Sequence, residues 1–173
     1  METVMMFKVG EKIVYAHSGV ATVTEVAEED GRVIMTVRPD VGNYTVKVPA
    51  ESDKVFMRPV MSREEAEELI DAFPSVNAAE IRGKSVRELT EWYESLLKSH
   101  DMKALVELTK AVYRKKTHVE SQNKKLGAVD AKFMKRAEDL LFGELAVALG
   151  IARDEVPDYI DRRLAEKGGE EKE

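Results

Sequence analysis

The chain contains no cysteine. Disulfides, thiolate nucleophiles, cysteine-based zinc sites and iron–sulfur clusters are therefore excluded. Histidine is scarce too. Of His17, His100 and His118, none has a second histidine or a carboxylate at the His-Glu-x-x-His spacing of a zinc hydrolase. His17-Ser18 falls in a predicted turn and reads as turn sequence, not as half of a Ser/His catalytic pair. No Gly-x-Gly-x-x-Gly and no Gly-Lys-Ser/Thr loop is present, so no phosphate cradle is signalled. The acidic run Glu64-Glu65-Ala66-Glu67-Glu68 reads as a solvated first helical turn, where the helix dipole favours negative charge, and not as a metal site. No apolar run approaches the ~18 residues of a membrane span. Met1 to Lys8 lack the basic start, apolar stretch and small-residue cleavage site of a signal peptide. Together these gaps lead us to expect a soluble cytoplasmic protein that is not an enzyme, with no metal, cofactor, membrane partner or small-molecule substrate.

What the chain has in quantity is charge. Of its 173 residues 35% are charged, and 43% are hydrophobic, enough for one ordinary core or two small ones. The net charge is −6, which at face value argues against a nucleic-acid partner. The distribution reverses that inference. Residues 1–60, 61–100 and 150–173 carry −2, −4 and −3, whereas residues 101–149 carry +3. Between Lys110 and Arg136 lie nine basic residues opposed only by Glu120 and Asp130, a local excess of +7. An anionic partner responds to such segregation, not to the total.

Hydrophobic periodicity divides the chain into a β part and an α part. Lys12 to Tyr15, Val20 to Val26, Val33 to Val37, Tyr44 to Val48 and Lys54 to Arg58 read as short strands, with Asp30-Gly31 supplying a type I′ hairpin signal. Five strands in about 60 residues suggest a small SH3- or Tudor-like barrel. The remainder reads as helices. Ser62-Arg63-Glu64-Glu65 and Ser85-Val86-Arg87-Glu88 are capping boxes. The first opens a helix ending near Phe73, and residues 75–84 read as a linker. The second opens a helix with Val86, Leu89, Tyr93, Leu96 and Leu97 on one face. A third helix starts near Asp101 and buries Leu105, Leu108, Val112 and Tyr113. A fourth runs from about Asp130 to Leu149 with Phe133, Ala137, Leu140, Leu141, Leu145 and Ala148 inward, and Gly150 ends it. Residues 154–166 form a short last helix, and 167–173 an acidic tail. The expected fold is thus α+β: a Tudor-like domain over 1–60, a helix and linker over 61–84, and a helical domain over 85–166.

Two features of this layout carry binding chemistry. Lys110 and Arg114, four apart on the third helix, and Lys132 and Arg136, four apart on the fourth with Lys135 alongside, face outward when the apolar stripes face in. Joined by Lys124-Lys125, they make one positive surface suited to DNA phosphates, with little sequence preference and strong salt dependence. Trp92, the only tryptophan, fits the apolar stripe less well than Tyr93. It reads either as a wedge for a widened base step or as a packing residue. In the β part, Thr45-Val46-Lys47-Val48-Pro49 fits an edge strand able to pair with a partner's sheet.

Phe7-Lys8-Val9-Gly10-Glu11-Lys12-Ile13-Val14-Tyr15-Ala16-His17-Ser18-Gly19-Val20-Ala21 resembles the F-K-x-G-D-x-V-V-Y-P-x-x-G-x-G/A opening of the CarD/CdnL family of bacterial RNA-polymerase-binding transcription regulators. Thr45 to Glu51 resembles that family's V-x-V/I-P strand, and Phe142-Gly143-Glu144-Leu145-Ala146 its L-x-x-E-L-A helix. The resemblance runs over roughly residues 6–160. It implies a Tudor-like domain that docks on the polymerase β subunit through Val46, Lys47, Val48 and Pro49. It also implies a helical domain that meets promoter DNA at the upstream edge of the bubble through Lys132, Lys135 and Arg136, and stabilises the open complex without catalysis or cofactor. Two departures stand out. Ala16 occupies the place of the family's Pro, and the W-x-x-R-Y wedge motif falls on Val86, Leu89 and Thr90, with Trp92 two turns later. A polymerase- or protein-binding module of the same fold that does not touch DNA is the alternative.

Overall fold

Alternation of β-branched residues with polar ones, punctuated by Gly and Pro, builds one antiparallel sheet from the first third of the chain. The protein is described here from a computed structural model, which covers residues 7–16, 18–51 and 56–170. The strands are β1 (Lys12–Tyr15), β2 (Gly19–Glu29), β3 (Arg32–Pro39), β4 (Val46–Pro49) and β5 (Met57–Pro59), in the order β4-β3-β2-β1-β5. Of the expected fifth strand, Lys54 and Val55 lie outside the described residues, as does His17. The sheet is open, with β4 and β5 at its two edges and no strand pairing between them among the described residues. The α+β class holds, with five antiparallel strands and five α-helices among the described residues.

Local sequence explains the register. Asp30 and Gly31 take φ of +50° and +78°, the pair of left-handed residues a type I′ turn requires, so β2 and β3 meet as Glu29 opposite Arg32. Strict alternation from Ala21 and Val23 would send Glu25 into the core. A bulge between Val23 and Glu25 prevents this: Val23 faces Val37, then Glu25 faces Thr36. The extra residue flips the parity, and Val26 joins the core instead. That core is Phe7, Ile13, Ala21, Val23, Met35, Val37 and Ala50. Ala16 sits at φ +43°, a conformation closed to a proline ring.

The chain divides into two compact units, Met1–Met61 and Ser62–Glu173. The second contains α1 (Arg63–Ala72), α2 (Val86–Lys98), α3 (Met102–Ser121), α4 (Ala128–Leu149) and α5 (Val156–Glu170), with 3₁₀ turns at Phe73–Ser75 and Arg153–Glu155. Ser62 and Glu65 form the full capping box. The second box is half made. Ser85 accepts from the Glu88 amide, but the Glu88 carboxylate reaches back one residue further, to the Lys84 amide at 2.8 Å. Gly150 ends α4 at φ +68°, the left-handed position that favours glycine. Helix α5 runs on to Glu170, beyond the short helix read from the sequence, and Lys167 is engaged within it.

Three expectations are corrected. Tyr113 is 61% exposed and Val86 69% exposed. Val86 opens its helix before that face reaches a neighbour, and Tyr113 follows Val112, which takes the inward position. Residues 75–84 are not a free linker. Val76 is buried, and the Ala79 amide donates to the Glu107 carbonyl at 3.0 Å. Helices α2, α3 and α4 share a core of Tyr93, Leu97, Leu105, Leu108, Val112, Phe133 and Ala137, with Tyr93 stacked on Phe133 at 4.8 Å.

Candidate nucleic-acid interface

Nine cations lie between Lys110 and Arg136, and the fold assigns them different tasks. Lys110 is half-buried, and its ammonium donates to the carbonyls of Phe73 and Val76, the second at 2.6 Å. The expectation that Lys110 and Arg114 share an outward face is therefore corrected. The 3₁₀ turn after α1 points these carbonyls at α3: Phe73 also accepts the Val76 amide at 3.2 Å, and Lys110 adds a second donor there and one at Val76. Lys115 pairs at 2.8 Å with Asp130, a carboxylate only 4% exposed. Asp130 thus spends its charge internally and does not oppose the surface cations.

Lys116 is half-buried on α3, and the other six cations keep an outward disposition. Arg114, Lys124, Lys125, Lys132 and Lys135 are exposed, and Arg136 is half-buried. None of these six forms an ion pair among the described residues. Lys124 and Lys125 lie in the irregular segment between α3 and α4, and Lys132, Lys135 and Arg136 in the first turns of α4. Lys132 lies 5.5 Å from the centre of the Phe133 ring, so its stem runs over the core edge while its charge stays in water. Trp92 is half-buried on α2 against the same core, its ring 5.0 Å from that of Tyr93 and inclined by 58°.

Beneath this surface lies a buried polar contact that joins three helices. The Tyr93 hydroxyl of α2 donates to Asp130 Oδ1 of α4 at 2.6 Å, while Lys115 of α3 holds Oδ2. Burial, then the hydrogen bond to Asp130 and the carboxylate's charge, push the Tyr93 phenol well above its ordinary range. Sequence reasoning missed this group. It took Tyr93 for one more apolar stripe residue and Asp130 for a charge opposing the basic stretch. The signal was an aspartate in the first turn of a helix whose own cap, Gly127, has no side chain to offer.

The sheet holds the second candidate surface. Ala50 donates its amide to the Val33 carbonyl at 2.9 Å, and with Val48 opposite Met35 and Lys47 opposite Thr36 the bonding parity of β4 follows. Val46 and Val48 bond toward β3, whereas the N–H and C=O of Lys47 turn to the open side. Pro49 stays in register opposite Ile34. Its missing N–H falls on the open side and costs the sheet no bond. The Lys47 side chain is 66% exposed and lies 3.6 Å from Glu29. Val48 is buried, Val46 is half-buried and Pro49 is exposed.

Between α1 and α5 the charges are matched. Arg163 of α5 grips Asp71 of α1 with two bonds of 2.7 and 3.0 Å, and Lys167 reaches the same carboxylate at 2.7 Å. Glu67 accepts from Arg63 and from the Tyr159 hydroxyl, both at 3.2 Å. Among the described residues no three acids or histidines gather as a metal would need, and the Glu64–Glu68 run supplies the α1 cap and this seam. The Arg163 hydrogen bonds, with help from Lys167 and against some desolvation, hold the Asp71 carboxyl at about 2. A groove of about 910 Å³ opens among the 3₁₀ turn, α3, α4 and α5, floored by Val106, Leu141, Phe142 and Ile160. Glu138 lines it, and burial pushes that carboxyl up against the pull of Arg153 and Lys116. No helix among the described residues is long and apolar enough to cross a membrane. No protein-family model matches the chain.

Proposed function

We propose that the chain is a non-enzymatic regulator of transcription initiation. In this reading its β unit is a Tudor-like module that docks on the β subunit of bacterial RNA polymerase by pairing a strand with the open edge around Val46, Lys47, Val48 and Pro49. Its helical unit lays Lys124, Lys125, Lys132, Lys135 and Arg136 against upstream promoter DNA and stabilises the open complex. The carrying observation is that these cations have no acidic partner among the described residues, in a protein whose net charge is −6. Charges left unmatched while the α1–α5 seam is matched suit phosphate contacts, which add affinity without reading sequence. The likeness of the N-terminal segment to the CarD/CdnL opening supports the polymerase side, as does the outward main chain of Lys47.

The mechanism needs contact with both partners. Only a ligand that binds the open state better than the closed one shifts that equilibrium. An acidic chain has weak DNA affinity alone, and docking on polymerase raises the local concentration of the basic face at the promoter. A polymerase-binding module without DNA contact is the second reading. It is favoured by one observation: Trp92 is half-buried against Tyr93 and the core, poorly placed to enter a base step. Open-complex lifetimes with Lys132, Lys135 and Arg136 all replaced by Glu test the choice. A shortened lifetime supports DNA contact. An unchanged one, with β-subunit capture intact, supports the second reading, and failure of the wild-type chain to capture the β subunit sinks both.

A further inference from the structure

The exposed cations of the helical unit stand on segments that converge on one buried carboxylate. Lys124 and Lys125 precede α4, while Lys132, Lys135 and Arg136 lie within its first turns. Trp92 is the neighbour of Tyr93. Between them sits Asp130, 4% exposed, with Tyr93 of α2 at 2.6 Å on one oxygen and Lys115 of α3 at 2.8 Å on the other. The start of α4 has no side-chain cap. In its first turns the inward contacts are this carboxylate and Phe133, which stacks on the Tyr93 ring, with Ala137 one turn further on in the same core. One helical residue turns 100°, so a roll of α4 about its axis would move Lys132 and Lys135 relative to Lys124 and Lys125, which precede the helix.

We propose that Asp130 is a positioning residue for nucleic-acid binding: by engaging Tyr93 and Lys115 at once it sets the roll of α4 and so the spacing of the cations that meet phosphates. This rests on the DNA-binding reading above. A buried, hydrogen-bonded ionic group is a poor source of net stability compared with apolar packing, and specifying one arrangement among several is its best-attested use. Tyr93 makes the arrangement directional, because a phenol donates one hydrogen bond along one line.

The test is the salt dependence of duplex DNA binding by the full chain, since that slope counts neutralised phosphates at ~0.9 each. Variants are Tyr93→Phe, which keeps the ring stack, and Lys115→Met, which keeps the stem, with Asp130→Asn as the direct change. Each is compared only where circular dichroism shows the wild-type fold. Tyr93→Phe should lower the slope by roughly one phosphate's worth while leaving every cation in place, and Lys115→Met, which also removes one charge, should lower it by more than that. A variant that is folded, less stable and unchanged in slope shows a structural role only and overturns the proposal. Replacement of Lys132, Lys135 and Arg136 by Glu is the control. If that control leaves DNA binding unchanged, the DNA reading itself has failed, and the positioning role falls with it. If it weakens binding while Tyr93→Phe and Lys115→Met keep the full slope, the reading stands and the positioning role alone is wrong.

Discussion

The seam between α1 and α5 and the junction between α3 and α4 use the same residue types for opposite ends. In the seam Asp71 meets Arg163 and Lys167, and Glu67 meets Arg63, Arg163 and Tyr159. Charge there is cancelled within the molecule. At the junction a single acid, Asp130, is taken inside by Tyr93 and Lys115, and six cations around it have no ion partner among the described residues. Net charge by segment does not separate these cases. The separation comes from which carboxylates lie within reach, and that is a property of helix packing.

The sharpest way to break the comparison is to empty the junction of its acid. Asp130→Ala leaves the buried Tyr93 hydroxyl and the half-buried Lys115 without their partner. Removing one member of a buried ion pair costs about 3–5 kcal/mol, which urea denaturation of the full chain will read. A destabilisation below about 1 kcal/mol would mean that water replaces the carboxylate and that the junction is as solvated as the seam. Next in size is charge reversal on the surface. In the DNA-binding reading, replacing Lys132, Lys135 and Arg136 by Glu lowers the slope of log affinity against log salt by about 2.7, at ~0.9 for each phosphate no longer neutralised. The fold should persist, because all three side chains reach solvent.

The seam makes the smaller, pH-dependent contrast. Asp71 titrates at about 2 in the folded chain against ~3.9 unfolded. A depressed folded value means that its stabilisation is complete above ~4 and disappears as pH falls through about 2. Asp71→Asn should therefore cost roughly 1 kcal/mol at pH 7, given its partial exposure, and next to nothing at pH 2. Urea midpoints measured at both pH values check the sign. A destabilisation that grows toward acid pH would contradict it.

Much of this organisation was legible in the residues. The Asp30-Gly31 turn, the Ser62 cap, the Gly150 stop and the inward stripe of α4 are local rules, and the fold obeys them. The basic segment was legible as composition. Its division into structural and surface cations was not. Lys110 reads as the partner of Arg114 until the carbonyls of Phe73 and Val76, more than thirty residues earlier, arrive beside it. Asp130 and Tyr93 are 37 residues apart, so no periodicity within one helix connects them. The bulge at Thr24 was hidden for a similar reason, since alternation alone continues through it. In each case the missing term is a partner from another element.

The last contrast lies in the other unit, at Lys47. Its side chain meets an exposed Glu29 at 3.6 Å, so in energetic terms it resembles neither the seam nor the junction. An ion pair this exposed contributes little, because water screens it and both side chains give up rotamer freedom to hold it. Lys47→Glu should accordingly shift stability by no more than about 0.5 kcal/mol. Its main chain is another matter, because the outward N–H and C=O remain whatever the side chain. A partner strand that pairs there places its own side chain beside residue 47, and a like charge directly opposite is unfavourable. In the polymerase-docking reading, Lys47→Glu weakens capture of the β subunit while thermal melting is unchanged, and Lys47→Arg retains capture. Equal capture by the Glu and Arg variants would remove the Lys47 side chain from the docking contact and leave main-chain pairing as the whole of what the β4 edge offers a partner.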